Sequence, residues 1–214
     1  MIITAKIVRY DGVNLLLVPD ESIDRELLQK DIKYCELRLD DGRTISAEQR
    51  KKTYALIGDI SSWSGENPEY LKQYFKWHFC AETGNEWFSL SNTSVSQARE
   101  FISYLIDFCL LHNVPCQDAL INQTDDIGKY LYQCLEHGKC AICNKEAEIH
   151  HVDRVGMGRN RKRIVHKGMK AISLCRFHHM QAHNNETELF DKYHIYGIEL
   201  DDYLCKILKL KEAD

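Results

Sequence analysis

Cysteine and histidine crowd into one stretch of this chain. It runs Cys140-x2-Cys143, then Glu148-Ile149-His150-His151, then Leu174-Cys175-Arg176-Phe177-His178-His179-x3-His183. Thiolate and imidazole are the ligands of choice for zinc and other borderline metals. Two ligand sets can be drawn from the stretch. Cys140, Cys143, Cys175 and His178 make a Cys3His set, the closed tetrahedral type used for structural zinc. Such a site would pin a region too small to fold on apolar burial alone. His150, His179 and His183 make the second set. His179 and His183 are i, i+4 on a helix, so they share a face and can bind one divalent ion. His178 lies off that face and goes to the zinc set. His150 and His151 are neighbours in a strand and point to opposite sides, so one can be a ligand while the other acts as a base. An imidazole near its ordinary pKa of about 6.5 suits that second role at neutral pH. Zinc alone accounts for the three cysteines and one histidine, and leaves His150, His151, His179 and His183 unexplained.

The charge around this cluster is one-sided. Residues 150–183 carry Arg154, Arg159, Arg161, Lys162, Arg163, Lys167, Lys170 and Arg176 against the single acid Asp153. The chain as a whole has a formal charge of −4, and residues 1–122 are net acidic, with 13 basic and 18 acidic side chains. A basic run beside metal ligands points to a polyanion, most simply a phosphodiester backbone. Gly156-Met157-Gly158 and Arg159–Arg163 read as a glycine-hinged loop that grips phosphate between two strands.

The elements that must position these residues can be read along the chain. Ile2–Tyr10 and Leu15–Val18 flank Asp11-Gly12, a hairpin signal. Ser22 can cap a helix over Ile23–Lys30, and Tyr34–Leu39 alternates as a strand. Ser46 with Gln49 is a capping-box start. The helix after it runs to about Trp63, with Tyr54, Leu56, Ile57 and Ile60 on its apolar side. Asn67-Pro68 begins a second helix through Leu71, Phe75, Phe79 and Cys80, ending at Gly84. Trp87–Leu90 reads as a short strand or extended piece. Thr93 or Ser94 caps a long helix that ends at Val114-Pro115. Residues 117–124 read as a polar linker, and Asp125–His137 as a helix leading into the Cys140 knuckle.

With 44% hydrophobic residues, only 3 Pro and 11 Gly, the chain can build a core and is not of a disordered class. No apolar run approaches the roughly 18 residues of a membrane span. The N-terminus reads as a strand rather than a signal peptide. These readings point to the cytoplasm. Nine cysteines, an odd number at uneven spacing, then read as metal ligands and small buried hydrophobes rather than disulfides.

Residues 138–190 resemble the HNH endonucleases and their ββα-metal fold. The matching elements are the Cys140 knuckle, the His150-His151 pair, the Leu174-Cys175 strand end and the His179-x3-His183 helix. The resemblance implies that His151 is the general base and that His150, His179 and His183 hold one catalytic ion, Mg²⁺, Mn²⁺ or another divalent metal. It implies products with 5′-phosphate and 3′-hydroxyl ends. The family's asparagine, which orients the base, aligns near Lys170 here, so His166 or a backbone carbonyl must take its place. The fourth zinc position is His178 where Cys is commoner.

Residues 43–61 resemble the signature helix of lambda-type phage Orf (NinB) recombination mediators, at Ser46, Gln49, Lys52, Ala55, Gly58, Asp59 and Ser61. A second stretch agrees at Thr93, Ser94, Glu100, Phe101 and Leu105. That resemblance implies a homodimer that binds single-stranded DNA and works with a host single-strand-binding protein in recombination.

The expected architecture is α+β: an Orf-like domain over residues 1–120, then a zinc-stapled ββα-metal domain over residues 121–214. The expected function is endonuclease action on single-stranded or branched DNA, with Arg154, Arg159, Arg161, Lys162, Arg163 and Lys170 on the DNA. The alternatives are a non-catalytic mediator with a zinc module, and a packaging or restriction-type enzyme with an unrelated front domain.

Overall fold

A computed structural model describes residues 5–19, 42–152 and 165–210. The readings at Ser22–Lys30 and Tyr34–Leu39, and the basic loop with Arg154, Arg159, Arg161, Lys162 and Arg163, lie outside the described residues.

The hairpin forms as its sequence asks. β1 (Ala5–Tyr10) pairs antiparallel with β2 (Leu15–Pro19). The Asp11 carboxylate accepts hydrogen bonds from the backbone of Val13 and Asn14 and so folds the turn.

Three long helices follow, each with a chemically legible start. α1 (Ala47–Ser64) opens on the capping box of Ser46 and Gln49, whose side chains each accept from the other's backbone N–H. It stops at Gly65, whose φ of 77° is the left-handed conformation a glycine adopts without strain. α2 (Pro68–Thr83) starts with the Asn67 side chain accepting from Glu69 and Tyr70 and with Pro68 in its first turn. α3 (Val95–His112) is capped by Ser94 and closed by Asn113 in the left-handed region.

Leu56, Ile57 and Ile60 of α1 are buried with Phe101, Ile102, Leu105 and Ile106 of α3, where the two helices pack. Phe79, Phe88 and Phe101 meet edge to face, at 5.3–5.8 Å between centroids, which suits the charge distribution of their rings. Tyr54 departs from its expected apolar role: it is exposed on α1. Residues 87–90 form no strand; Phe88 and Leu90 instead drop individually into the core.

The stretch read as a linker is folded against α1. It holds the short helix α4 (Leu120–Gln123), with Leu120 and Gln123 buried. Lys52 donates to the Thr124 carbonyl at 3.2 Å and pairs with Asp125. The apolar anchors Leu120, buried, and Ile121, partly buried against the core, outweigh its polar composition. Asp126 then caps α5 (Ile127–Glu136), which packs on α3 and on the sheet beyond it. Tyr130, Leu131 and Cys134 of α5 belong to one buried cluster that runs from Ile45 to Ile195.

The C-terminal sheet has three antiparallel strands in the order β3 (Glu148–His151), β4 (Lys170–Leu174), β5 (Ile198–Glu199). Between β4 and β5 lies α6 (Arg176–Tyr193), kinked at Asn185. The chain closes with α7 (Asp202–Ile207), capped by Asp201. Leu204 and Cys205 pack with Leu135, Ala171 and Leu200. No helix among the described residues is long and apolar enough to cross a membrane.

Candidate active site

β3, β4 and the first turns of α6 form a ββα unit, and both expected ligand sets converge on it. The knuckle is a tight turn: Cys140 N–H donates to the Lys145 carbonyl, and Asn144, with φ at 57°, returns its own N–H to the Cys140 carbonyl. The Asn144 amide also donates to Tyr130 Oη, which donates to the Ala141 carbonyl, so α5 braces the turn. Cys175 follows β4 directly as the N-cap of α6 and places His178 one turn on.

The four ligand atoms close on one another. Cys143 Sγ lies 3.6 Å from Cys175 Sγ, and His178 Nδ1 lies 3.3 Å from Cys175 Sγ and 3.4 Å from Cys140 Sγ. A tetrahedron with Zn–S near 2.3 Å and Zn–N near 2.1 Å has edges of about 3.5–3.8 Å. The set therefore fits zinc. Burial pushes the Cys140 thiol up to about 12. At Cys175 burial also pushes upward, but hydrogen bonds from the His178 backbone, Cys143 and Cys140 outweigh it and the thiol is lowered. His178 is held below the ordinary imidazole range by burial, then by Lys192 and Lys145, and a neutral ring is the form that binds a metal.

The second set lies on the other side of the same helix. His150 faces His179 and His183, with ring centroids 5.0 and 5.1 Å away, and the three ligand nitrogens lie within 4.8 Å of one another. His150 Nε2 donates to Glu186 at 2.7 Å. Its other nitrogen, Nδ1, is buried with no hydrogen-bond partner. Buried polar atoms are nearly always satisfied, so an orphan aimed among two more imidazoles fits a metal ligand. Burial lowers the His150 pKa, although Glu186 works against it, and this favours the neutral ring that a metal binds. His179 Nδ1 donates to Glu148 at 3.0 Å, which leaves Nε2 as its ligand atom.

These carboxylates were not among the expected site residues. They fix the tautomers of two candidate ligands, as outer-shell partners do at metal centres. The kink at Asn185 brings Glu186 to His150: Asn185 leaves the helix and its side chain accepts from the Glu188 backbone, restarting α6. Glu148 is two residues before His150 and hence on the same strand face, a signal the sequence already held.

His151 points the other way, as strand alternation requires. It is half-buried, and its Nε2 lies 2.9 Å from His166 Nδ1. Of the two substitutes for the family asparagine, the structure brings His166 to the ring. Lys170 begins β4 and is exposed, and its backbone carbonyl accepts from Val152. A third group, Asp107, Glu136 and His137, sits where α3 meets the end of α5. There His137 Nε2 pairs with Asp107 at 2.8 Å and Tyr203 donates to Glu136.

No curated protein and no solved structure matches this chain. A family model does, described as "Putative HNHc nuclease", over residues 18–211. The match takes in the front helices together with the cysteine and histidine cluster, most of the chain. This protein belongs to that HNH nuclease family.

Proposed function

We propose that this protein is a metal-dependent DNA endonuclease of the HNH type. The observation that carries the reading is the buried, unpartnered Nδ1 of His150 at the meeting point of three histidines, with His151 on the opposite face of the same strand. His150, His179 and His183 would hold the catalytic ion, Mg²⁺ or Mn²⁺ or another divalent metal. Cys140, Cys143, Cys175 and His178 would hold structural zinc. When bound, the catalytic ion supplies positive charge for the scissile phosphate and the leaving 3′ oxygen.

His151 is the general base in this reading. For its Nδ1 to take a proton from water, Nε2 must carry hydrogen and donate it to His166 Nδ1. His166 then keeps the ring in that tautomer and shares the charge that the imidazolium acquires. The water oxygen bonds to phosphorus as the bond from phosphorus to the 3′ oxygen breaks, the 3′ oxygen takes a proton from solvent water, and the ends are a 5′-phosphate and a 3′-hydroxyl. The basic loop with Arg154, Arg159, Arg161, Lys162 and Arg163, together with Lys170, would hold the backbone in place.

The resemblance of residues 43–61 to the Orf mediators extends the proposal. Residues 1–120 would bind and dimerise, residues 121–214 would cut, and the substrate would be single-stranded or branched DNA in phage recombination beside the host single-strand-binding protein, in the host cytoplasm. The test is cleavage of circular single-stranded DNA with Mg²⁺ or Mn²⁺. His151→Ala should lower the rate by about 10²–10⁴-fold with melting temperature and zinc content unchanged. Full activity in that variant overturns the role of His151. No cutting by the wild-type chain leaves the mediator reading.

A further inference from the structure

All three tryptophans of the chain lie in its front half and all are exposed, Trp63 on α1 at 44%, Trp77 on α2 at 60% and Trp87, between α2 and α3, at 58%. Beside Trp87 lies a stranger feature. Lys76 of α2 is only 6% exposed, yet no carboxylate of the described residues pairs with it. Its Nζ sits 4.1 Å from the Trp87 ring centre and 5.2 Å from that of Phe88. One turn earlier, Lys72 lies beside the Tyr54 ring of α1, with Glu69 on its ammonium.

Burial holds the Lys76 ammonium below the usual lysine range, and the nearby Lys72 charge adds to this. Cation–π contact offsets part of the lost hydration, but ring faces are weak substitutes for an anion. A cation sheltered among rings, with no carboxylate on it, is a group poised for a negative partner.

We infer that the surface formed by Tyr54, Lys72, Lys76 and Trp87 binds an unpaired nucleic-acid strand, the lysines receiving backbone phosphates and the rings stacking on bases. The occupant must bring anionic groups and flat apolar faces at alternating positions. A single strand does both; a duplex has its bases already stacked on one another. A second copy of this chain docked through the same patch would set lysine against lysine across a two-fold axis. The net acidic charge of residues 1–122 argues for a discrete receptor rather than a general polyanion surface. The inference rests on the DNA reading above for the nature of the polymer, and adds a contact surface distinct from the histidine centre.

The test uses the full-length chain carrying His151→Ala, so that the probe stays intact, and a fluorescein-labelled oligothymidine of about 15 nucleotides, a length that spans one binding unit. Anisotropy should show binding that quenches tryptophan emission. Trp87→Ala should weaken it by about 5–100-fold, the loss of one stacked base. Trp87→Leu keeps the apolar volume, removes the ring and should lose as much. Lys76→Met should weaken binding and flatten the dependence of log affinity on log salt by about 0.7, one phosphate contact on a single strand. Unchanged affinity in these variants, with native melting curves, overturns the site. So does an equal loss on duplex of the same length, or a shift in sedimentation with oligothymidine binding untouched. Failure of the nuclease reading looks different: the wild-type chain would not cut, while this binding and its loss in Trp87→Ala would stand.

Discussion

At the scale of single residues, Glu148 and Glu186 decide which nitrogen of two histidines faces the candidate ion. Each accepts the proton of one imidazole nitrogen and leaves the other unprotonated toward the cluster. Glu186→Gln keeps the shape and loses the charge. It should weaken divalent binding at the three-histidine site by about 10–100-fold, as outer-shell losses do. Calorimetric titration with Mn²⁺, on protein whose Cys3His set is already filled with zinc, reads this directly; undiminished affinity would refute the role. The parts of each candidate set that lie close in sequence were legible, Cys140 with Cys143, Cys175 with His178 and His179 with His183, because their geometry is local. An i, i+4 pair shares a helix face, and neighbours in a strand diverge, whatever the rest of the fold does. Glu186 was not, because its partner lies 36 positions away; Glu148 shares a strand face with His150, but its pairing with His179, 31 positions on, shows only in the fold. His166 stood among the options, and only the approach of the chain before β4 to the end of β3 distinguishes it from a carbonyl.

At the scale of elements, the short strand β5 closes the sheet that carries His151. It pairs with Lys170 and Ala171, and Gly197 just before it presses against its neighbours. A Cβ on Gly197 would stand 2.8 Å from Val152 Cγ2 and 3.0 Å from Lys170 Cβ, closer than side chains tolerate. Gly197→Ala should therefore cost about 1–3 kcal/mol by overpacking. Chemical denaturation measures that loss, and a stability equal to wild type would mean that β5 yields without strain. The long helices α1, α2 and α3 were readable to within a residue or two, since Ser46, Asn67 and Ser94 satisfy their first N–H groups and Gly65 and Gly84 accept the left-handed turn that ends two of them. β5 and α7 were not, because two paired residues and six helical ones leave too short a pattern. Residues 117–124 misled for the opposite reason: their composition is polar, and what folds them is distant in sequence, the Gln117 N–H on Asp59 and Lys52 on the Thr124 carbonyl, both from α1.

At the scale of the whole molecule, α5 joins the front helices to the ββα unit. Its buried side chains share one cluster with both, and Gln133 donates to the Ser103 carbonyl of α3 at 3.1 Å. The same junction ends in an ion pair, His137 at the close of α5 with Asp107 of α3. The Asp107 carboxylate raises the His137 pKa above its ordinary value, against the effect of burial; Glu136 adds to the rise and Lys139 opposes it. The tyrosines nearby are Tyr203, which donates to Glu136, Tyr104 and Tyr132; all three are raised above the ordinary phenol value and stay neutral through this range. A histidine whose folded pKa exceeds its unfolded one binds its proton more tightly in the native state. The stabilisation is then complete below the unfolded value of about 6.5 and fades as pH rises through the higher folded value. Asp107→Asn keeps a hydrogen-bond acceptor and removes the charge. The melting temperature of wild type should exceed that of this variant most at about pH 6, with the gap narrowing by about pH 9. Both proteins carry the same Cys3His set, so the pH dependence of zinc binding cancels in the difference. A gap that is flat across this range, or that widens toward alkaline pH, would show that the pair does not couple the front helices to α5 through its charge.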